Sequence, residues 1–222
     1  MKSQHKAQGF TLVEIAIVLV IIGLLLGGIL KGQEMITQAK IKNSIADFSG
    51  ISAAYYGYQD RYRAIPGDDP SANTRWPAAG ALPAATQGDG NGVVAGTYNN
   101  GGAACAAGVE ACSWWDHLRR AGFVAGSGVL QPTNAFAGQI GVQTGDAAGG
   151  TVLGGFSGLI VCSAGIPDKV AIALDTQMDD GLPGTGTVRS MAQAAPNPAI
   201  PAAAAAAYAE TGTNVYAMCR SL

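Results

Sequence analysis

Residues 10–30 read FTLVEIAIVLVIIGLLLGGIL, and from Ile15 to Leu30 no residue is charged. At about 1.5 Å per residue, this stretch forms a helix roughly 30 Å long, the thickness of a bilayer's hydrocarbon core. Ahead of it stand MKSQHKAQG, with Lys2 and Lys6 positive. Positive residues before an apolar run hold that end in the cytoplasm and send the rest of the chain outward. A Sec signal peptide has the same order of parts. Its apolar region is shorter, about 7–15 residues, and leads to an A-x-A-like site, which this run lacks.

Glu14 breaks the run. A carboxylate in hydrocarbon is costly unless it finds a partner or snorkels to the headgroups. The run holds no cation, but a newly exposed α-amine at Phe10 would supply one. Here the residues carry a resemblance. Gly9-Phe10-Thr11-Leu12-Val13-Glu14, followed by the apolar run, resembles the processing site of type IV prepilins and of type II secretion pseudopilins. The resemblance implies that a prepilin peptidase cuts after Gly9 and methylates Phe10. It also implies that Glu14 pairs with the N-terminal amine of a neighbouring subunit.

Beyond Lys31 the pattern turns amphipathic. Ile41, Ile45, Phe48 and Tyr55 follow helical spacing, and Lys40, Lys42, Asn43 and Asp47 fall largely elsewhere. Ile65-Pro66-Gly67 ends the pattern, because the residue before proline disfavours helix and proline itself donates no hydrogen bond. One helix of about 50 residues is expected, roughly 75 Å long. Gly23, Gly27 and Gly28 permit close helix packing. Where the family often carries proline just after the run, this chain has Lys31. The divisions expected are 1–9, a leader that is removed; 10–30, a membrane and filament-core helix; 31–64, its amphipathic continuation; and 65–222, a periplasmic or extracellular head.

The head is rich in Gly, Ala, Pro, Asn and Thr. Short apolar runs at 156–161, 170–174 and 215–218 suit strands bounded by turn residues. With the long helix they predict a pilin-like α+β fold, a small antiparallel sheet laid on that helix. Ser113 followed by Asp116 reads as a capping box opening a helix over 113–121, with Trp114, Leu118 and Ala121 along one face. The alanine-rich stretch 196–210 favours helix by propensity, yet nothing amphipathic fixes it, so it reads as a surface excursion. Tyr55, Tyr56, Tyr58 and Tyr62 are expected in helix–sheet packing and subunit contacts. No internal repeat is present. A second resemblance joins Ile65-Pro66-Gly67-Asp68, Gly88-Asp89-Gly90-Asn91-Gly92, Trp115-Asp116-His117-Leu118 with Ala121-Gly122, and Asp175 to Gly181 with Pro183, Gly184 and Gly186. These look like a head type that recurs among prepilin-like proteins.

Cys105, Cys112, Cys162 and Cys219 all follow the apolar run and face an oxidising compartment if the head is translocated. Four cysteines allow three pairings. Cys105–Cys112 and Cys162–Cys219 are favoured, the second resembling the disulfide that pins the C-terminal region of pilins. Zinc lacks the C-x₂-C spacing it would need. Asp175, Asp179 and Asp180 before Gly181 are candidate ligands for a structural calcium ion, as some pseudopilins hold calcium in a comparable late loop. Asp89 and Asn91 are a weaker candidate, and Asx turns are the plainer reading of both loops.

The formal charge of −2 offers no basic face for nucleic acid, and loss of Lys2 and Lys6 makes it more negative. No G-x-S-x-G, H-E-x-x-H, P-loop or G-x-G-x-x-G occurs, and His117 is the one histidine outside the leader. No cofactor other than calcium is expected, and no catalytic role. The chain therefore reads as a minor pilin or pseudopilin, a structural subunit anchored in the inner membrane. Its partners would be other subunits, the prepilin peptidase, the assembly platform and the lipid bilayer. The rival readings are a filament-tip adhesin, marked by an exposed aromatic patch, and a membrane-anchored enzyme, marked by a clustered acid–base pair.

Overall fold

The computed structural model describes residues 11–100, 108–145 and 152–222. Helix α1 runs from Leu12 to Tyr62, and the chain divides into two compact units between Ala39 and Lys40. In the first unit the apolar side chains from Leu12 to Leu30 are largely exposed. Among the described residues α1 is the one helix long and apolar enough to cross a membrane. A fully exposed apolar surface of this kind needs lipid or other helices around it.

The second unit begins on α1. Ile41, Ser44, Phe48, Ile51, Ala54, Tyr55 and Tyr58 are its buried positions, spaced by three or four residues as one face of a helix must be. Arg63 ends the helix with φ 54° and donates its N–H to the Gln59 carbonyl, a left-handed C-terminal turn. A short helix α2 (Ala72–Arg75) and then α3 (Glu110–Arg120) follow. Next come strands β1 (Ile140–Thr144) and β2 (Leu159–Pro167), helix α4 (Asp168–Met178), and strands β3 (Val188–Ala192) and β4 (Val215–Ser221). The sheet is antiparallel throughout, in the order β1-β2-β4-β3.

Its two faces are covered differently. On one, Ile140, Val142 and Val161 meet Phe48, Ile51, Tyr58 and the tryptophans of α3. Beside them, Ile166, Val188, Tyr216 and Met218 meet Ile41 and the α4 residues Val170 and Leu174. On the other face, Ile160, Cys162, Ala164, Met191 and Cys219 are covered by loop residues, Tyr98 and Leu153 among them. Cys162 and Cys219 lie directly opposite in the β2–β4 ladder and form a disulfide across 57 residues of chain. In the chain-entropy model a loop of that size is worth about 4 kcal/mol.

Several expectations need correction. The run 170–174 is helical: Val170, Ala171 and Leu174 are buried while Ile172 and Ala173 are only partly covered, a helical rather than alternating pattern. Strand β2 starts at Leu159, not at Phe156, which instead closes a tight turn against Val152. Helix α3 starts three residues before Ser113. The Ser113 hydroxyl donates to the Glu110 carbonyl at 3.2 Å rather than capping the helix, and Asp116 pairs with Arg120 at 2.6 Å. The stretch 196–210 is irregular, but not merely a surface excursion. The N–H groups of Leu153 and Gly154 donate to the carbonyls of Pro201 and Ala202, and Ile200 and Ala204 pack on the loop-covered face. Strands β1 and β3 carry no apolar run that would mark them in the sequence. In β1, Gly141 and Gln143 alternate with Ile140 and Val142, so no continuous apolar run forms, and a Cβ at Gly141 would lie 1.9 Å from the Tyr98 carbonyl oxygen that crosses it.

Candidate functional site

At the start of α1, the Thr11 N–H and hydroxyl each donate to Glu14 Oε2 at 2.8 Å, and the Glu14 N–H lies 3.3 Å from Thr11 Oγ1. This is a reciprocal capping box. Among the described residues, Glu14 thus has neutral donors but no cation. Gly9 and Phe10, the expected processing site, lie outside the described residues.

In the head, three of the recurring motifs converge on one junction. Gly67 takes φ 87°, and its N–H donates to His117 Nδ1 at 2.8 Å. A side chain there would meet the Glu110 carbonyl oxygen at 2.5 Å, so this turn requires glycine. His117 Nε2 bonds the Thr86 carbonyl at 2.7 Å. With Nδ1 accepting, the proton sits on Nε2, and the ring is neutral.

The next two residues divide the work of holding loops. Asp68 accepts N–H bonds from Gly90 (2.5 Å), Asn91 (3.2 Å) and Gly92 (2.7 Å). Asp69, buried, accepts the Tyr58 hydroxyl at 2.6 Å and the Ser71 N–H at 2.9 Å, and binds Arg75. The Arg75 guanidinium in turn stacks 4.3 Å over the Tyr62 ring. From α3, Glu110 accepts the N–H groups of Asp89 at 3.0 Å and Ala95 at 2.9 Å. The IPGDD turn is therefore tied to α1, to the GDGNG loop and to α3 at once. Tyr58 and Tyr62 serve this junction; of the expected tyrosine cluster, Tyr56 stays exposed.

The electrostatics fit a structural knot. Burial alone would raise the Asp69 carboxyl, but the hydrogen bonds from Tyr58 and Arg75 outweigh it and hold the group below its ordinary range. Burial, with Asp69 adding to it, raises Tyr58. Burial lowers His117 below its ordinary 6.5, against the opposing pull of the Thr86 bond, Asp69 and Asp116. The neutral ring therefore stabilises the head fully above about pH 6.5, and that contribution fades as pH falls toward the depressed folded value. Melting temperature is expected to drop between pH 7.5 and pH 5. The drop should be smaller in His117→Gln, whose amide can accept from Gly67 and donate to Thr86 without titrating. An equal slope in both proteins would count against this account.

The other expected site residues are distributed as follows. Cys112 on α3 is disulfide-bonded, while Cys105 lies outside the described residues. Asp175, Asp179 and Asp180 come together, each offering an oxygen within 4.8 Å of the others. Carboxylate oxygens are the ligand type that a hard cation takes. Their oxygens also accept protein hydrogen bonds: Tyr208 donates to Asp175 at 2.6 Å, Val188 to Asp179 at 2.8 Å, and Leu182 to Asp180 at 2.9 Å. Asp89 groups with Asp68 and Glu110, and Asn91 closes an Asx turn on Asp89 at 3.0 Å. Sequence reasoning missed the roles of Asp69, Glu110 and Tyr58, although Asp-Asp after Pro-Gly was a visible signal of a side chain–backbone turn.

Residues 4–30 match the family model described as the prokaryotic N-terminal methylation motif. No curated protein and no solved structure matches the chain. Capped by Thr11 and Glu14, and followed by a small sheet with a disulfide between two of its strands, this segment gives the chain the hallmark of type IV pilin and pseudopilin prepilins on a pilin-like α+β fold.

Proposed function

We propose that the chain is a minor pilin or pseudopilin, a structural subunit of a type IV pilus or a type II secretion pseudopilus. The observation that carries this reading is the methylation motif at residues 4–30, continuous with an exposed apolar helix. The leader is removed after Gly9, and Phe10 becomes the methylated N-terminus. The head lies on the periplasmic side, and the subunit enters the filament from the inner-membrane assembly platform.

The capping box suggests how Glu14 is kept until then. In the lone subunit Thr11 satisfies the carboxylate with neutral donors. In the filament the amine of a neighbouring Phe10 adds the cation. Two opposite charges in low dielectric attract strongly, whereas either alone is penalised, so the pair selects one axial offset between subunits. The test is immunogold labelling of cells with an antibody to the head, together with blotting of the sheared fraction. Gold along filaments or short envelope-bound fibres is expected. Label spread evenly over the membrane, with none in the sheared fraction, would reject the reading.

A further inference from the structure

Asp47 on α1 is half-buried in a shallow notch beside Phe48, Ile51, Ile140 and Ser163. No described residue gives its carboxylate a hydrogen bond or an ion pair. Burial alone holds the carboxyl above its ordinary range. A carboxylate placed in this way gains from a cation brought to it. Lys42, five residues earlier on the same helix, is exposed and equally without a partner among the described residues. At 3.6 residues per turn, the two side chains point about 140° apart around the helix. They cannot reach each other within one copy, and they address different neighbours.

The chain spacing suggests where the cation comes from. Pairing of Glu14 with the amine of a neighbour's Phe10, the reading on which this inference rests, offsets parallel copies of the helix by four residues. At that offset Lys42 of one copy stands level with residue 46 of the next. The shortfall to Asp47 is one residue, about 1.5 Å of rise, which a flexible four-carbon lysine stem spans.

We propose that Lys42 of each copy pairs with Asp47 of the next copy in the filament. The contact is heterologous, with different residues on its two sides. Such a contact propagates as an open helical array when its rotation does not close. Each copy gives its lysine to one neighbour and its aspartate to the other.

The test uses the full-length chain in its own membrane. Asp47→Lys and Lys42→Asp should each cut the sheared-filament fraction about fivefold or more, and the double swap should restore it. A second arm does not depend on the swaps folding well. Lys42→Cys and Asp47→Cys together, treated with a short bismaleimide, should give a ladder of multimers, while either cysteine alone gives monomer. The described native cysteines are not free to interfere. If the wild-type chain forms filaments but the single swaps assemble normally, the double swap fails to restore assembly, or the double-cysteine chain stays monomeric, the ion pair is wrong and the filament reading stands. If the wild-type chain forms no filament and no multimer, the filament reading fails and the ion pair falls with it.

Discussion

Glu14→Leu is expected to leave the protein inserted in the membrane and absent from filaments. The two effects separate because they depend on different states. Before assembly, among the described residues, only Thr11 holds the carboxylate, through two bonds of 2.8 Å, and replacing it with an apolar side chain makes the helix easier to insert. After assembly the same change would strand a neighbour's ammonium in an apolar bundle. Removing one partner of a buried pair costs about 3–5 kcal/mol, a loss on the order of 100-fold or more in incorporation. Thr11→Ala removes the two hydroxyl contacts, keeps the backbone N–H bond to Glu14 and spares the ion pair, so it should cost far less. Membrane fractionation against the sheared fraction reads both effects, and normal filaments from Glu14→Leu would overturn the pairing.

Asp69→Ala should be among the most damaging single changes in the head. It leaves the buried Tyr58 hydroxyl without its acceptor and the Arg75 guanidinium without its carboxylate. Breaking a largely buried pair of this kind costs about 3 kcal/mol or more. The loss should appear as a lower denaturation midpoint of the detergent-solubilised full chain. Asp60→Ala is the contrast. That residue meets Arg63 at 3.7 Å with both side chains exposed, so its loss should be within error. A midpoint shift for Asp69→Ala no larger than that of Asp60→Ala would show that the junction does not carry the head's stability.

These two sites differ in how far the sequence disclosed them. Glu14 stands before 16 uncharged residues on its C-terminal side, and a charge in such a place announces itself because hydrocarbon penalises it. The long helix is equally plain, since one period persists until proline ends it. The junction is visible only as fragments. Asp68 and Asp69 lie in one segment of sequence and Glu110 and His117 in another, and nothing local says that Gly67 N–H will face His117 or that Tyr58 will reach Asp69. Segment 170–174 misleads for a related reason. Five apolar or alanine-like residues in a row fit a buried strand and a buried helix equally well, and the choice is made by Ile41 and the sheet against which they pack. Strand β3 lacks any run of large apolar residues and is defined by its ladder with β4.

The placement of β4 affects how the head can form. It comes last of the four strands in chain order, yet it sits between β2 and β3. Until it emerges, β3 has no partner strand and Cys162 has no Cys219. Of the sheet, an incompletely synthesised or translocated head can therefore hold at most the β1–β2 pair, which is marginal by itself. Sheet closure, oxidation and burial of the core around α4 fall at the same late moment, so a subunit whose β4 has not arrived offers quality-control proteases an open substrate.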